Sequence, residues 1–324
     1  MPTRLLYIFV LLSFYCQCQQ QITELKKFGT NPGNLKMFVH VPNSNKGTSS
    51  KPLVVVLHGC SQSAESIAAQ TGWNKLSDQY GFYVLYPQQS LVNNPSLCFN
   101  WFNNGDVKKD KGESSSIIQM IDYMKRNYPV DNNKVFCYGV SAGGAMSVVL
   151  LANYPEIFKG GATLAGGPFM PDFNDAQRLQ LMFNPKDESA EKLGNPIKKL
   201  NPNFLGDYPN IVILQGKNDL VVNPKNADLL VKQWTNINHT NTAFTDTLTE
   251  FANNRSVTKF QFKNDSSQTK VTYYEIKFLG HAIPIDPGNA FNQGGEKGTY
   301  ALDKDFFSTY YIGVDFGIIP KKED

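Results

Sequence analysis

Histidine is scarce in this chain, with four in 324 residues. No two of them stand at H-x-x-x-H spacing and none joins a Cys/His cluster, so neither a metal nor an organic cofactor is expected. A surplus of one charge is missing as well. The 31 Lys and Arg against 28 Asp and Glu leave a net charge of +3, with no dense basic patch, which suggests neither nucleic acid nor an anionic membrane as a partner. Internal repeats and interdomain linkers are absent too, which argues against solenoids and tandem modules. With 41% hydrophobic residues the chain can bury the core of one large α/β domain.

Long apolar runs are lacking except at the N-terminus, MPTRLLYIFVLLSFYCQCQQQ. A basic Arg4, an apolar run from Leu5 to about Tyr15, and small residues at Cys16 and Cys18 form the order of a secretory signal peptide, assigned to residues 1–18. The run falls short of the roughly 20 residues of a membrane span. Residues 19–324 are therefore expected to be exported, free of the membrane once the leader is removed, and monomeric. Two of the five cysteines leave with the leader, and Cys60, Cys98 and Cys137 allow one pair and one thiol in an oxidising compartment. Three sequons, at Asn238, Asn254 and Asn264, lie in a polar segment of about 235–270 that reads as a surface insertion open to glycosylation.

From Lys51 onward strand-like and helix-like segments alternate. PLVVVLHG is a continuous β-branched run of the kind buried on both faces of a parallel sheet. The helical stretch SAESIAAQTGWNKLSDQY and the strand FYVLYP follow. Next come the helix ESSSIIQMIDYMKRNY, the strand VFCYGV, a small-residue helix to about Asn153 and the strand GGATLAGG. An irregular stretch from Pro168 to Pro209 leads to the strand IVILQG and the helix NPKNADLLVKQW. Beyond the polar segment stand the strand VTYYEIKFLG and a last helix near Leu302 to Tyr311. Such alternation predicts a doubly wound, mostly parallel α/β sheet in a single domain.

One serine is bare of large neighbours. YGVSAGGAMS sets Ser141 in G-x-S-x-G between a strand and a helix, where glycines leave room for a strained turn that presents a nucleophile. A serine hydroxyl needs a base oriented by an acid, which this arrangement supplies in the chain order Ser, acid, His. His40 and His58 precede Ser141, and His239 lies in a sequon, which leaves His281 after the strand YYEIKFLG. Asp219, three residues past IVILQG, is preferred as the acid over Asp172, Asp175, Asp187, Asp207 and Asp228 because it sits at the matching sheet edge. The Ala142 amide, at the start of the helix, is one candidate oxyanion donor. The Cys60 amide in the LHGCSQ loop is the other, with His58 hydrogen-bonding the loop.

Six ordered blocks carry a resemblance: LHGCSQSAESIAAQTGWNKLSDQYGFYVLYPQQS with CFNWF, GVSAGGAM, LAGGPF, LQGKNDLVVNPKNADLLVKQW and GHAIPIDPG. Together they resemble the catalytic domain of extracellular poly(3-hydroxybutyrate) depolymerases, within the wider feruloyl and acetylxylan esterase group. The resemblance implies an α/β-hydrolase, serine esterase chemistry at Ser141, Asp219 and His281, and a polyester or oligoester substrate. Feruloyl or acetylxylan-type carbohydrate esters are the alternative, and a peptidase or an inactive secreted binding protein would also keep the fold. By the same likeness the CFNWF block lies beside the site, making Trp101 a candidate substrate contact, with ordinary core the other reading. It also brings Cys98 near Cys60, so these two are expected to form a disulfide while Cys137 stays a buried thiol. Nothing after the last helix resembles a polymer-binding module, so soluble oligomers are expected to turn over faster than crystalline polymer.

Overall fold

Successive side chains of a strand point to opposite faces of its sheet, so a strand with no polar alternation needs cover on both sides. Leu53 to Val56 and Leu57 are fully buried in this way in the computed structural model, which describes residues 22–43, 49–241, 243 and 245–322. The leader expected at 1–18 lies outside these residues. Ten strands form the main sheet: β1 (Thr23–Leu25), β2 (Lys36–His40), β3 (Lys51–Leu57), β4 (Tyr83–Gln88), β5 (Val130–Val140), β6 (Gly160–Leu164), β7 (Asn210–Gly216), β8 (Asp246–Leu248), β9 (Val257–Lys263) and β10 (Thr269–Ile276). Their spatial order is β1-β2-β4-β3-β5-β6-β7-β10-β9-β8. The block from β4 to β10 is parallel, and the pairs at both edges are antiparallel. A small parallel pair, β11 (Ile283–Ile285) with β12 (Ala301–Asp303), stands apart.

Nine α-helices lie among the described residues: α1 (Ala64–Thr71), α2 (Trp73–Tyr80), α3 (Asn104–Val107), α4 (Gly112–Asn127), α5 (Ala142–Asn153), α6 (Asp175–Phe183), α7 (Ala190–Leu200), α8 (Lys225–Ile237) and α9 (Ser308–Asp315). Leu53, Val55 and Leu57 pack with Ile117 and Met120 of α4, Met146 of α5 and Trp234 of α8. Val54 and Val56 pack on the other face with Ile67 of α1, Trp73 and Leu76 of α2, and Tyr310 of α9. Each fully buried aliphatic side chain of β3 contributes about 1.5–3 kcal/mol over its exposed state. The chain winds from β3 outward to β4, then crosses back to β5. That reversal puts the ends of β3 and β5 side by side at a switch point, where α/β sheets build sites.

Several boundaries differ from the sequence expectation for local reasons. The first helical stretch splits at Gly72, whose φ of 67° ends α1, so α2 starts in a new direction. The irregular stretch 168–209 holds α6, with a capping box of Asn174 and Gln177, and α7. The helix expected from Leu302 starts only at Ser308, because Ala301–Asp303 pairs with β11.

The polar segment of about 235–270 carries regular structure. Thr235 is a buried part of α8, and the residues after it build β8 and β9, which extend the sheet antiparallel from β10. VTKFQFK buries Val257 on one face of the sheet and Phe262 on the other, and Lys259 is buried as well, its amine donating to Asp315 at 2.6 Å. The sequons accordingly differ in access. Asn238 is buried at the end of α8. The Asn254 amide donates to the carbonyls of Lys304 (2.7 Å) and Asp305 (3.1 Å). Asn264 begins the β9–β10 turn. Expression in a glycosylating secretory host should yield a glycan on Asn264 and none on Asn238, read by glycopeptide mapping, and an occupied Asn238 would contradict the burial.

Candidate active site

Backbone meets backbone where β5 turns into α5. A Cβ on Gly139 would lie 2.0 Å from the Gly143 carbonyl oxygen, and one on Gly143 would lie 2.4 Å from the Leu57 carbonyl oxygen. Only hydrogen atoms fit there, and Ser141 is held between them at φ 55° and ψ −119°, a strained conformation for a residue with a side chain. Its amide donates to the Leu164 carbonyl of the next strand at 2.8 Å, which locks the turn to the sheet.

The structure brings Ser141, His281 and Asp219 together from the carboxyl ends of three strands. Ser141 Oγ lies 3.0 Å from His281 Nε2, and His281 Nδ1 lies 2.8 Å from Asp219 Oδ2. Asp219 Oδ1 accepts the amides of Val221 (2.8 Å) and Val222 (2.9 Å), and Oδ2 also accepts the Gln215 side-chain amide at 3.2 Å. Burial alone would raise the Asp219 carboxyl. The hydrogen bond and charge of His281, with the two backbone amides, outweigh it and hold the carboxyl below its ordinary value. An ionised Asp219 accepts a proton-bearing Nδ1, which leaves Nε2 free to accept the Ser141 hydroxyl. His239, the other candidate base, is exposed beyond α8 and lines a different depression.

A cleft of about 150 Å³ opens over Ser141 and His281, walled by Val140, Leu164, Ala165, Val221, Ala282 and Tyr300. Cys60 borders it beside Ser141. Among the described residues neither the Cys60 amide nor the Ala142 amide has a hydrogen-bond acceptor. Cys60 is joined to Cys98 by a disulfide, and Cys137 is buried and unpaired in β5, as expected. Trp101 departs from expectation. It is 9% exposed, packs edge-on against Phe102 within the core and is not part of the cleft wall, because the CFNWF segment turns its indole inward. Val221 and Tyr300, which do reach the cleft, sit in LVV and GTYAL, and neither stretch carries a signal that marks it beforehand.

The model of the esterase PHB depolymerase family matches residues 38–250. The chain belongs to that family. It is 39% identical over 300 residues to poly(3-hydroxyalkanoate) depolymerase C of Paucimonas lemoignei, covering 92% of this chain and 70% of that protein. Feruloyl esterase B of Neurospora crassa is 32% identical over 238 residues, covering 68% of this chain and 75% of its own. In three dimensions the chain is similar to the acetyl xylan esterase from Aspergillus awamori, with a TM-score of 0.71 and 23% identity over 81% of this chain and 94% of that one, a likeness of fold. The family member described here is a serine esterase of the α/β-hydrolase fold.

Two tests follow from the geometry. Gly139→Ala forces a side chain into the Gly143 carbonyl, and overpacking of this kind costs about 1–3 kcal/mol or more. The variant should show a lower thermal midpoint and little ester hydrolysis per folded molecule, and a wild-type midpoint would rule out the contact. Glu113, fully buried at the start of α4, is the second case. Burial and the nearby Asp106 carboxylate raise its carboxyl from 4.5 to about 8. A raised pKa means stability present below pH 4.5 and lost as pH rises toward 8, since only the unfolded chain ionises freely in that window. Glu113→Gln should therefore gain thermal midpoint relative to wild type between pH 5 and pH 9, by calorimetry. A difference that stays constant with pH would show that Glu113 does not titrate there.

Proposed function

We propose that the protein is an exported hydrolase of poly(3-hydroxybutyrate) or of hydroxyalkanoate oligoesters, with Ser141, His281 and Asp219 as its catalytic triad. The observation that carries the triad is the hydrogen-bonded chain of 3.0 Å and 2.8 Å from Ser141 through His281 to Asp219. The likeness over 92% of the chain to a poly(3-hydroxyalkanoate) depolymerase supports the substrate, and the disulfide is consistent with an oxidising compartment.

In this reading the reaction is a two-step acyl transfer. Ser141 Oγ bonds to the ester carbonyl carbon as its proton passes to His281 Nε2, and the carbonyl oxygen becomes an oxyanion facing the Cys60 and Ala142 amides. Collapse breaks the bond to the leaving oxygen, which takes the proton from His281, and an acyl group remains on Ser141. Water then attacks that acyl carbon, giving its proton to His281, and the second collapse returns the proton to Ser141 and frees the acid. Asp219 keeps the imidazole in the tautomer that both steps require. The apolar walls at Val140, Leu164, Val221 and Ala282 suit a short aliphatic acyl unit. A carbohydrate-linked feruloyl or acetyl ester is the second reading, favoured by the likeness to feruloyl esterase B.

A panel of hydroxybutyrate oligomers, methyl ferulate, acetylated xylan and a peptide tests both readings. Hydroxybutyrate oligomers should turn over fastest, and a preference for ferulate or xylan would select the second reading. Ser141→Ala and His281→Ala should each lower kcat at least roughly 10⁴-fold, with the double variant scarcely worse. Undiminished turnover by Ser141→Ala would sink the triad.

A further inference from the structure

The Cys60 N–H shares a planar, trans peptide unit with the Gly59 carbonyl, and in such a unit the two groups point in opposite directions. Whatever holds the Gly59 oxygen therefore aims the Cys60 amide. His58 Nδ1 donates to that oxygen at 2.7 Å. The ring is fully buried, and its Nε2 accepts the Gln89 backbone amide at 3.1 Å, which settles the tautomer. Burial pushes the imidazole down to about 4, so it stays neutral and both bonds persist at working pH.

Gln89, 1% exposed just past β4, is engaged on every side. Its Oε1 accepts the Ser90 amide (2.9 Å) and the Asn93 side-chain amide (3.0 Å), and its Nε2 donates to the Cys98 carbonyl at 3.0 Å and to Glu113 Oε1 at 2.5 Å. Glu113 Oε2 accepts the Asn100 amide at 2.8 Å. One carboxyl group thus grips the end of β4, which orients His58, and the segment after Cys98, whose disulfide reaches Cys60 itself. No cation faces this carboxyl among the described residues. The groups turned toward it are Gln89 from the end of β4, Asn100 from the segment after Cys98, and Asp106 from α3, which repels it. An acid kept dry beside a second acid is a poor device for stability. What it offers over a neutral amide is a pair of strong acceptors for two N–H donors.

We propose that Glu113 is a positioning residue for the oxyanion site: it holds Gln89 and Asn100, and through them His58 and the Cys60–Cys98 loop, so that the Cys60 amide faces the developing oxyanion. This inference rests on the esterase reading above. The ionised carboxylate accepts both donors, whereas the neutral acid turns an O–H toward one of them, so kcat should rise through about pH 8, where the group titrates.

The test compares wild type with Glu113→Gln, Glu113→Ala and Gln89→Leu on a soluble p-nitrophenyl butyrate, with a small alkylboronic acid as a probe whose tetrahedral serine adduct uses the oxyanion site. Each variant should lose about 10- to 100-fold in kcat above pH 8, less than the roughly 10²- to 10³-fold cost of removing one oxyanion donor outright, with KM within about twofold. Boronate affinity should fall by the same factor as kcat, and Glu113→Gln should lose the rise near pH 8. Should Glu113→Ala fail to fold, the other two variants carry the test. Folded variants with unchanged kcat and boronate affinity, a loss confined to KM, or a Glu113→Gln profile that keeps the rise would each overturn the proposal. Failure of the esterase reading has a different signature, namely wild-type turnover by Ser141→Ala.

Discussion

The closeness with which the β5–α5 turn packs on its neighbours governs the site. At Gly139 and Gly143 the contact is between backbones alone, with no room for even one added carbon. This lets α5 start directly behind Ser141 with its first amide free, beside the end of β3 and the loop that carries Cys60. A looser turn would relax the Ser141 backbone into an ordinary conformation and move its hydroxyl away from His281. The strain at φ 55° is tolerated because the Ser141 amide is tied to β6 and α5 is buried along its whole length between sheet and helices.

Two buried polar systems flank that turn, and they solve opposite problems. On one side Asp219 must remain charged inside the protein, and the amides of Val221 and Val222 with His281 make that possible. On the other side His58 must remain neutral, since a second proton would place a donor against the Gln89 amide. The His281 imidazole has an anion at its back. The His58 imidazole has burial and no anion. Two histidines of identical chemistry are thus assigned different work by what surrounds them.

The sheet supplies the rigidity both systems require. β3 and β5 are sealed on both faces by separate apolar clusters, so the switch point between their ends does not yield when substrate presses on it. The disulfide adds a covalent tie from the Cys60 loop to the segment after β4. The antiparallel strands β8 and β9 lie at the far edge of the sheet, past β10, and so lengthen it without disturbing the switch point.

What the sequence by itself determined is whatever local sterics and periodicity control. The β-branched run of β3, the glycines around Ser141, the strand-to-helix order and the scarcity of histidine were enough to read a doubly wound sheet and to select Ser141, Asp219 and His281. The spacing of residues along one strand or helix is a property of the chain, legible before it folds. Tertiary structure alone decided which side of a segment faces inward. It buried Trp101, folded Thr235 and Asn238 into the end of α8, placed Tyr300 and Val221 on the cleft wall, and gathered Gln89, Asn100 and Asp106 from separate elements around the Glu113 carboxyl group, with His58 accepting the Gln89 amide. Those outcomes depend on contacts between residues tens of positions apart, whose side chains are ordinary polar or aromatic types with no spacing of their own to announce them.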